Sequence, residues 1–152
     1  MRTGIWKLAL MLFTVMLLNN QGYSQEHNFL NKNRSQKVDI QKQTIFSDIE
    51  EGIREKNVNK IAKYFSQQPY LSFSNGVTGY YSSNQAYYIL EDFLDLHRVI
   101  DFKFETKKMD DKFAYATGSY LYELKGKRDS KQVYLTLNKI GSNWYITQIS
   151  IN

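Results

Sequence analysis

Acid–base chemistry in this chain would have to come from its phenols, its imidazoles and its carboxylates. It has twelve tyrosines, among them Tyr80, Tyr81, Tyr87, Tyr88, Tyr115, Tyr120, Tyr122, Tyr134 and Tyr145. A phenol can hydrogen-bond a developing oxyanion when a carboxylate base faces it across a pocket. The spacing supplies no such base. On the helix expected from Ser83 to about His97, Glu91, Asp92 and Asp95 fall opposite the apolar stripe of Ala86, Ile89, Leu90 and Phe93. On the next segment Asp101 and Glu105 alternate out of phase with Ile100, Phe102 and Phe104. A tyrosine with an apolar body and a polar tip is, moreover, ordinary on a half-exposed strand.

Histidine occurs only as His27 and His97, and cysteine is absent. Thiolate catalysis, disulfides and Cys-zinc sites are thereby excluded. His97 falls on the inward side of its helix at the C-terminal end, where an imidazole serves the last carbonyls and the helix dipole. Met109-Asp110-Asp111 lacks calcium-loop spacing, and there is no nucleophile elbow or glycine-rich phosphate loop. We therefore expect no metal, no cofactor and no catalytic residue. Phe93, His97, Phe102 and Tyr115 are the candidates for lining a pocket.

The positions of these groups follow from the segments that carry them. Met1–Lys7 holds Arg2 and Lys7 and no acid, Leu8–Leu18 is apolar, and Gly22-Tyr23-Ser24 ends in a small-x-small pattern. That is the layout of an export signal, expected to be cleaved after Ser24. Its apolar run falls short of the ~20 residues needed to span a bilayer, so no stable membrane anchor is expected after cleavage. Removing residues 1–24 lowers the formal net charge from +5 to +3 and leaves 128 residues, one domain's worth. So mild a charge does not describe a nucleic-acid binder. The destination is the periplasm or the extracellular medium. Residues 25–43 read as a polar leader, with a weak glycosylation pattern at Asn33-Arg34-Ser35. The folded domain is expected over 44–152.

Within it, Ile45, Phe46, Ile49 and Ile53 share one helical face, and Val58, Ile61, Ala62 and Phe65 share another after Asn57 as N-cap. Pro69 is expected to end this stretch, with Tyr70–Phe73 as a first strand. Ser82 and Gln85 form a capping box for the third helix. Strands follow at Val99–Thr106, with Ile100, Phe102 and Phe104 inward, then Lys112–Leu124, Gln132–Ile140 and Trp144–Ile151. Gly118 marks a bulge or bend, and Lys125–Asp129 and Gly141–Asn143 are turns. The basic run Lys125–Lys131 reads as a charged tip on a solvated hairpin. Short turns between consecutive strands make them antiparallel. The fold class is α+β, with three N-terminal helices on one face of a curved antiparallel sheet.

The order helix–helix–strand–helix–four strands resembles the nuclear transport factor 2-like, or cystatin-like, superfamily. Gly52–Phe65, Tyr80–Phe93 and Trp144–Ile151 further resemble a family of small secreted bacterial proteins of unknown function. The chain departs from that family's pattern at Lys56, where a glycine is expected, and at His97-Arg98-Val99, where a proline-containing loop is expected. The resemblance implies a cone-shaped sheet around a long helix and no assigned activity. The resulting expectation is a non-enzymatic exported module that binds a small apolar ligand through its cone pocket, or a protein partner through its sheet face, with a homodimer through the sheet as one form. The alternative is a pocket enzyme of isomerase or dehydratase type.

Overall fold

The computed structural model describes residues 43–152. The export signal, the leader and its glycosylation pattern lie outside the described residues. Helix α1 covers 43–54 and α2 covers Val58–Ala62. Strands β1 (Phe65–Phe73) and β2 (Thr78–Tyr80) precede helix α3 (Ser83–Leu96). The chain then runs through β3 (Arg98–Met109), β4 (Phe113–Leu124), β5 (Lys127–Ile140) and β6 (Asn143–Ile151). Among the described residues no helix is long and apolar enough to cross a membrane.

The apolar stripes become the core. Ile45, Phe46, Ile49 and Ile53 of α1, Val58 and Ile61 of α2, and Ala86, Leu90, Phe93 and Leu94 of α3 are all buried. They meet the inward phase of the strands, including Phe102, Phe104, Tyr120, Tyr122, Leu135 and Ile146. The α3 capping box is complete: Ser82 Oγ accepts from the Gln85 N–H, and the Gln85 side chain accepts from the Ser82 N–H at 3.0 Å. At the end of α1, Asn57 N–H reaches the Gly52 carbonyl at 2.8 Å and Lys56 N–H the Ile53 carbonyl at 3.3 Å. This pattern of reversed bonds needs a left-handed residue, and Lys56 takes it at φ +58°. The lysine thus adopts the backbone conformation that the missing glycine would take without strain.

The strand order is β2-β1-β6-β5-β4-β3, and one expectation fails here. The sheet is mixed, because β1 pairs with β6 in parallel. Turn logic applies only to strands consecutive in sequence, and β1 and β6 are separated by α3 and four strands. The first strand also runs from Phe65 through Pro69. Its pairing with β6 jumps from Phe65↔Ile146 to Tyr70↔Gln148, so the proline sits where no ladder donor is needed. Ile100 is a second correction: the register skips it between Val99↔Tyr122 and Asp101↔Leu121, and it is left exposed. The turn after β4 is shorter than expected. Lys125 (φ +51°) and Gly126 (φ +77°) alone connect Leu124↔Lys127, a two-residue turn with both φ positive whose twist suits a hairpin.

Gly118 is a place of close approach. A β-carbon there would collide with the Lys103 carbonyl oxygen and stand 2.9 Å from Phe104 Cα. The β3–β4 register shifts at this point, between Phe104↔Gly118 and Thr106↔Thr117, leaving Glu105 as the extra residue of a bulge.

Candidate functional site

Inside the sheet, Phe93, His97, Tyr120 and Tyr122 form an aromatic nest. Ring centroids lie 4.6 Å apart for Phe93–His97 and His97–Tyr122, and 6.1 Å apart for His97–Tyr120. His97 Nδ1 is 2.7 Å from the Phe93 carbonyl, which can only accept, so Nδ1 carries the proton. The imidazole thereby satisfies a C-terminal carbonyl of α3. Tyr122 donates to Asp129 Oδ2 at 3.2 Å. The Tyr120 hydroxyl is different: it is fully buried and has no hydrogen-bond partner. Burial, then the neighbouring Tyr122, pushes its ionisation far above the ordinary phenol range. It therefore stays protonated and can only offer its hydrogen or a lone pair to something entering the nest. Tyr120 is the chemically pointed residue here. Sequence periodicity placed it among nine tyrosines with nothing to mark it, because an orphaned hydroxyl is a property of packing.

Of the four pocket candidates, Phe93 and Phe102 are core residues, 0% and 1% exposed, and His97 is 6% exposed. Tyr115 is half-buried and alternates with buried Ala114 and Ala116, so it stands on the opposite face of the sheet. The structure thus brings Phe93 and His97 together, and Tyr115 joins neither. At the C-terminal ends of α1 and α3, His97 also borders a cleft of about 440 Å³ with Arg54, Lys56, Asp95, Arg98 and Glu123. Its charges are largely matched, Lys56 to Asp95 at 3.0 Å and Arg98 to Glu123 at 3.4 Å. Both pairs are solvated and add little stability.

Two carboxylates of α1 are buried more deeply than the helical pattern suggests. Glu50 accepts from the Phe104 N–H at 2.8 Å and pairs with Lys107 at 2.8 Å, tying α1 to β3. Asp48 accepts from Lys63 at 2.7 Å and from the Tyr64 hydroxyl at 2.6 Å. Burial raises the Asp48 pKa, but the hydrogen bonds from Lys63 and Tyr64 outweigh it and hold the carboxyl below the usual range. Neither acid touches Tyr120. Among the described residues no group of three or more His, Cys, Asp or Glu side chains could hold a metal ion.

The outer face of β4, β5 and β6 has a separate character. Phe113–Tyr122, Gln132–Asn138 and Asn143–Ile151 contain no charged residue. Across this face Thr117 lies opposite Tyr134, which lies opposite Ser150, and Tyr115 lies opposite Thr136, which lies opposite Gln148. Thr136 and Thr147 share a hydroxyl–hydroxyl bond of 3.1 Å, and Gln148 donates to Ser150 at 3.2 Å. Tyr134 (48% exposed) and Leu121 (37%) project from it.

Comparison with known proteins agrees with this architecture. A family model described as a domain of unknown function, DUF4783, matches residues 46–152. A DUF4783 family protein of Bacteroides uniformis superposes with a TM-score of 0.64 at 18% identity, covering 70% of this chain and 94% of its own. Its counterpart from Bacteroides ovatus gives 0.60 at 17%, covering 68% and 89%. An NTF-2 like protein of unknown function from Shewanella oneidensis gives 0.51 at 15%, covering 70% and 92%. At these identities the likeness shows the fold. No curated protein matches the chain. With the family model over residues 46–152 and the superposed folds in agreement, the chain belongs to the DUF4783 family, a domain of unknown function built on the nuclear transport factor 2-like fold.

Proposed function

We propose that this domain is a non-enzymatic exported module that acts by association, its outer sheet face meeting a second copy of the chain. The observation that carries this reading is the central outer surface of β4–β6, uncharged from Phe113 to Leu121 and from Gln132 to Asn138, with Tyr134 and Leu121 raised on it and charge confined to its border at Glu105, Glu123 and Arg128. The solvated face of an antiparallel sheet normally carries polar and charged residues throughout. Here the outward phase is Tyr, Thr, Ser and Gln, whose hydroxyls and amides both donate and accept. Such a surface can pair with its own image about a twofold axis, whereas a face of one charge would repel itself. The sheet edges argue for the face as well: β2 is three residues long and β3 is rich in charge, and both features discourage edge-to-edge pairing. A small apolar ligand in the cone is supported less, since it would have to displace Phe93 and Phe102.

Static light scattering on the chain and on a Leu121→Lys/Tyr134→Lys variant tests this. The expected result is a dimer mass for the former and a monomer mass for the latter, with unchanged circular dichroism. A monomer mass for both ends the reading.

The unpartnered Tyr120 hydroxyl favours a second reading, the isomerase- or dehydratase-type pocket. That chemistry needs a carboxylate facing the phenol, whereas the rings beside Tyr120 are Phe93, His97 and Tyr122, and the carboxylate at the nest, Asp129, is bonded to the Tyr122 hydroxyl.

A further inference from the structure

Where β1 leaves its ladder, the fold builds a cleft of about 600 Å³, within the ~300–1,000 Å³ typical of small-molecule sites. Its walls come from three distant segments: Ser66, Gln67 and Gln68 of β1, Ser83 at the start of α3, and Ile140 and Tyr145 from the β5–β6 hairpin. The β1–β6 register offers no partner to Ser66, Gln67 or Gln68, and the β1–β2 pairing begins only at Tyr70. Among the described residues the side chains of Ser66, Gln67, Gln68 and Ser83 have no hydrogen-bond partner, so two amides and two hydroxyls are uncommitted at one opening. A bulge that breaks a ladder and re-aims side chains is a common neighbour of binding sites.

The lining also restricts the ligand. It contains no charged group, so an ion entering the cleft would lose hydration without a counter-charge. A purely apolar guest would leave the amides and hydroxyls unsatisfied. What fits is a neutral molecule with many hydroxyls and some C–H surface. Glutamine amides each donate and accept, matching vicinal hydroxyls. The Tyr145 ring supplies an apolar face with a polar tip, and exposed Ile140 adds apolar surface beside it. We infer that this cleft is a binding site for a neutral saccharide, held by Gln67, Gln68, Ser66 and Ser83 and packed on Tyr145.

The site is distinct from the outer-face contact and stands whether or not the chain dimerises. The test is a titration of the isotope-labelled chain, followed by its amide resonances, with maltotriose, cellotriose, xylotriose and chitotriose, and with a sulfated oligosaccharide as the charged control. The expected result is saturable shifts at Ser66–Gln68, Ser83 and Tyr145 with at least one neutral sugar and none with the sulfated one. A Gln67→Ala/Gln68→Ala variant should weaken binding at least about tenfold, because both amides that would bond the sugar hydroxyls are lost, with the remaining spectrum unchanged. Because both glutamines are exposed, the variant should fold; if it does not, the shift map of the unmodified chain decides alone. Overturning results are no response to any neutral sugar, a stronger response to the sulfated one, shifts elsewhere on the surface, or shifts at these amides with an extended peptide and not with sugars.

Discussion

Strand β3 and the outer face of β4–β6 belong to one sheet but follow opposite rules. Over twelve residues β3 carries Arg98, Asp101, Lys103, Glu105, Lys107 and Lys108, is bulged at Ile100 and Glu105, and has Glu50 of α1 bonded to its Phe104 N–H. Charge, bulges and a covering carboxylate are what keep an open edge from recruiting another strand. The neighbouring strands carry no charge over their central residues. The contrast separates two kinds of surface: one kept solvated and unpaired, the other left able to meet its own copy.

The seam between the two regions is Gly118, and breaking it should have the largest effect. Gly118→Ala forces a methyl into the β3 backbone at the bulge, and the expected cost is about 3 kcal/mol or more, read as a lowered urea midpoint. An unchanged midpoint would show that the β3–β4 approach is looser than described. Next comes the covering carboxylate. Glu50→Ala strands the Phe104 N–H and should cost about 1–3 kcal/mol, with Glu50→Gln recovering part of the loss through its amide oxygen. Aggregation on storage should rise in the alanine variant as the β3 edge opens.

The inner and outer phenols sharpen the comparison further. Tyr120→Phe removes a buried hydroxyl that has no partner and should stabilise the fold by about 1 kcal/mol, seen as a higher Tm. A lower Tm would mean that the hydroxyl is bonded in solution. The smallest effect concerns Asp48. Its folded pKa lies below the unfolded 3.8, so its contribution is fully present above that value and is lost as pH falls through the folded pKa. In Asp48→Asn the acid-side fall in stability should therefore be shallower than in the unmodified chain. Identical pH profiles would contradict the bonds from Lys63 and Tyr64.

Much of this molecule was legible from local pattern. The Ser82–Gln85 capping box, the α3 stripe from Ala86 to Phe93 and a break in ladder regularity at Gly118 each follow from a few adjacent residues, and the structure contains all three. The expectations that failed are non-local. Ser66-Gln67-Gln68-Pro69 has no alternation from which to read a strand; it is an unpaired bulge held between Phe65 and Tyr70, which both pair with β6 some eighty positions away. Ile100 has the right phase for burial and loses it to a bulge that only the β4 register defines. The uncommitted amides beside Tyr145, and the orphaned Tyr120 hydroxyl, likewise exist only once distant segments meet.

Because the chain has no cysteine, single cysteines can report directly on which surface meets a second copy. Thr117→Cys places a thiol on the uncharged face opposite Tyr134, and Asp92→Cys places one on the exposed side of α3, away from that face. Treated with a short bismaleimide at micromolar concentration, Thr117→Cys should give a covalent dimer on a denaturing gel and Asp92→Cys should stay monomeric. Cross-linking through Asp92→Cys alone, or through neither, would contradict face-to-face association.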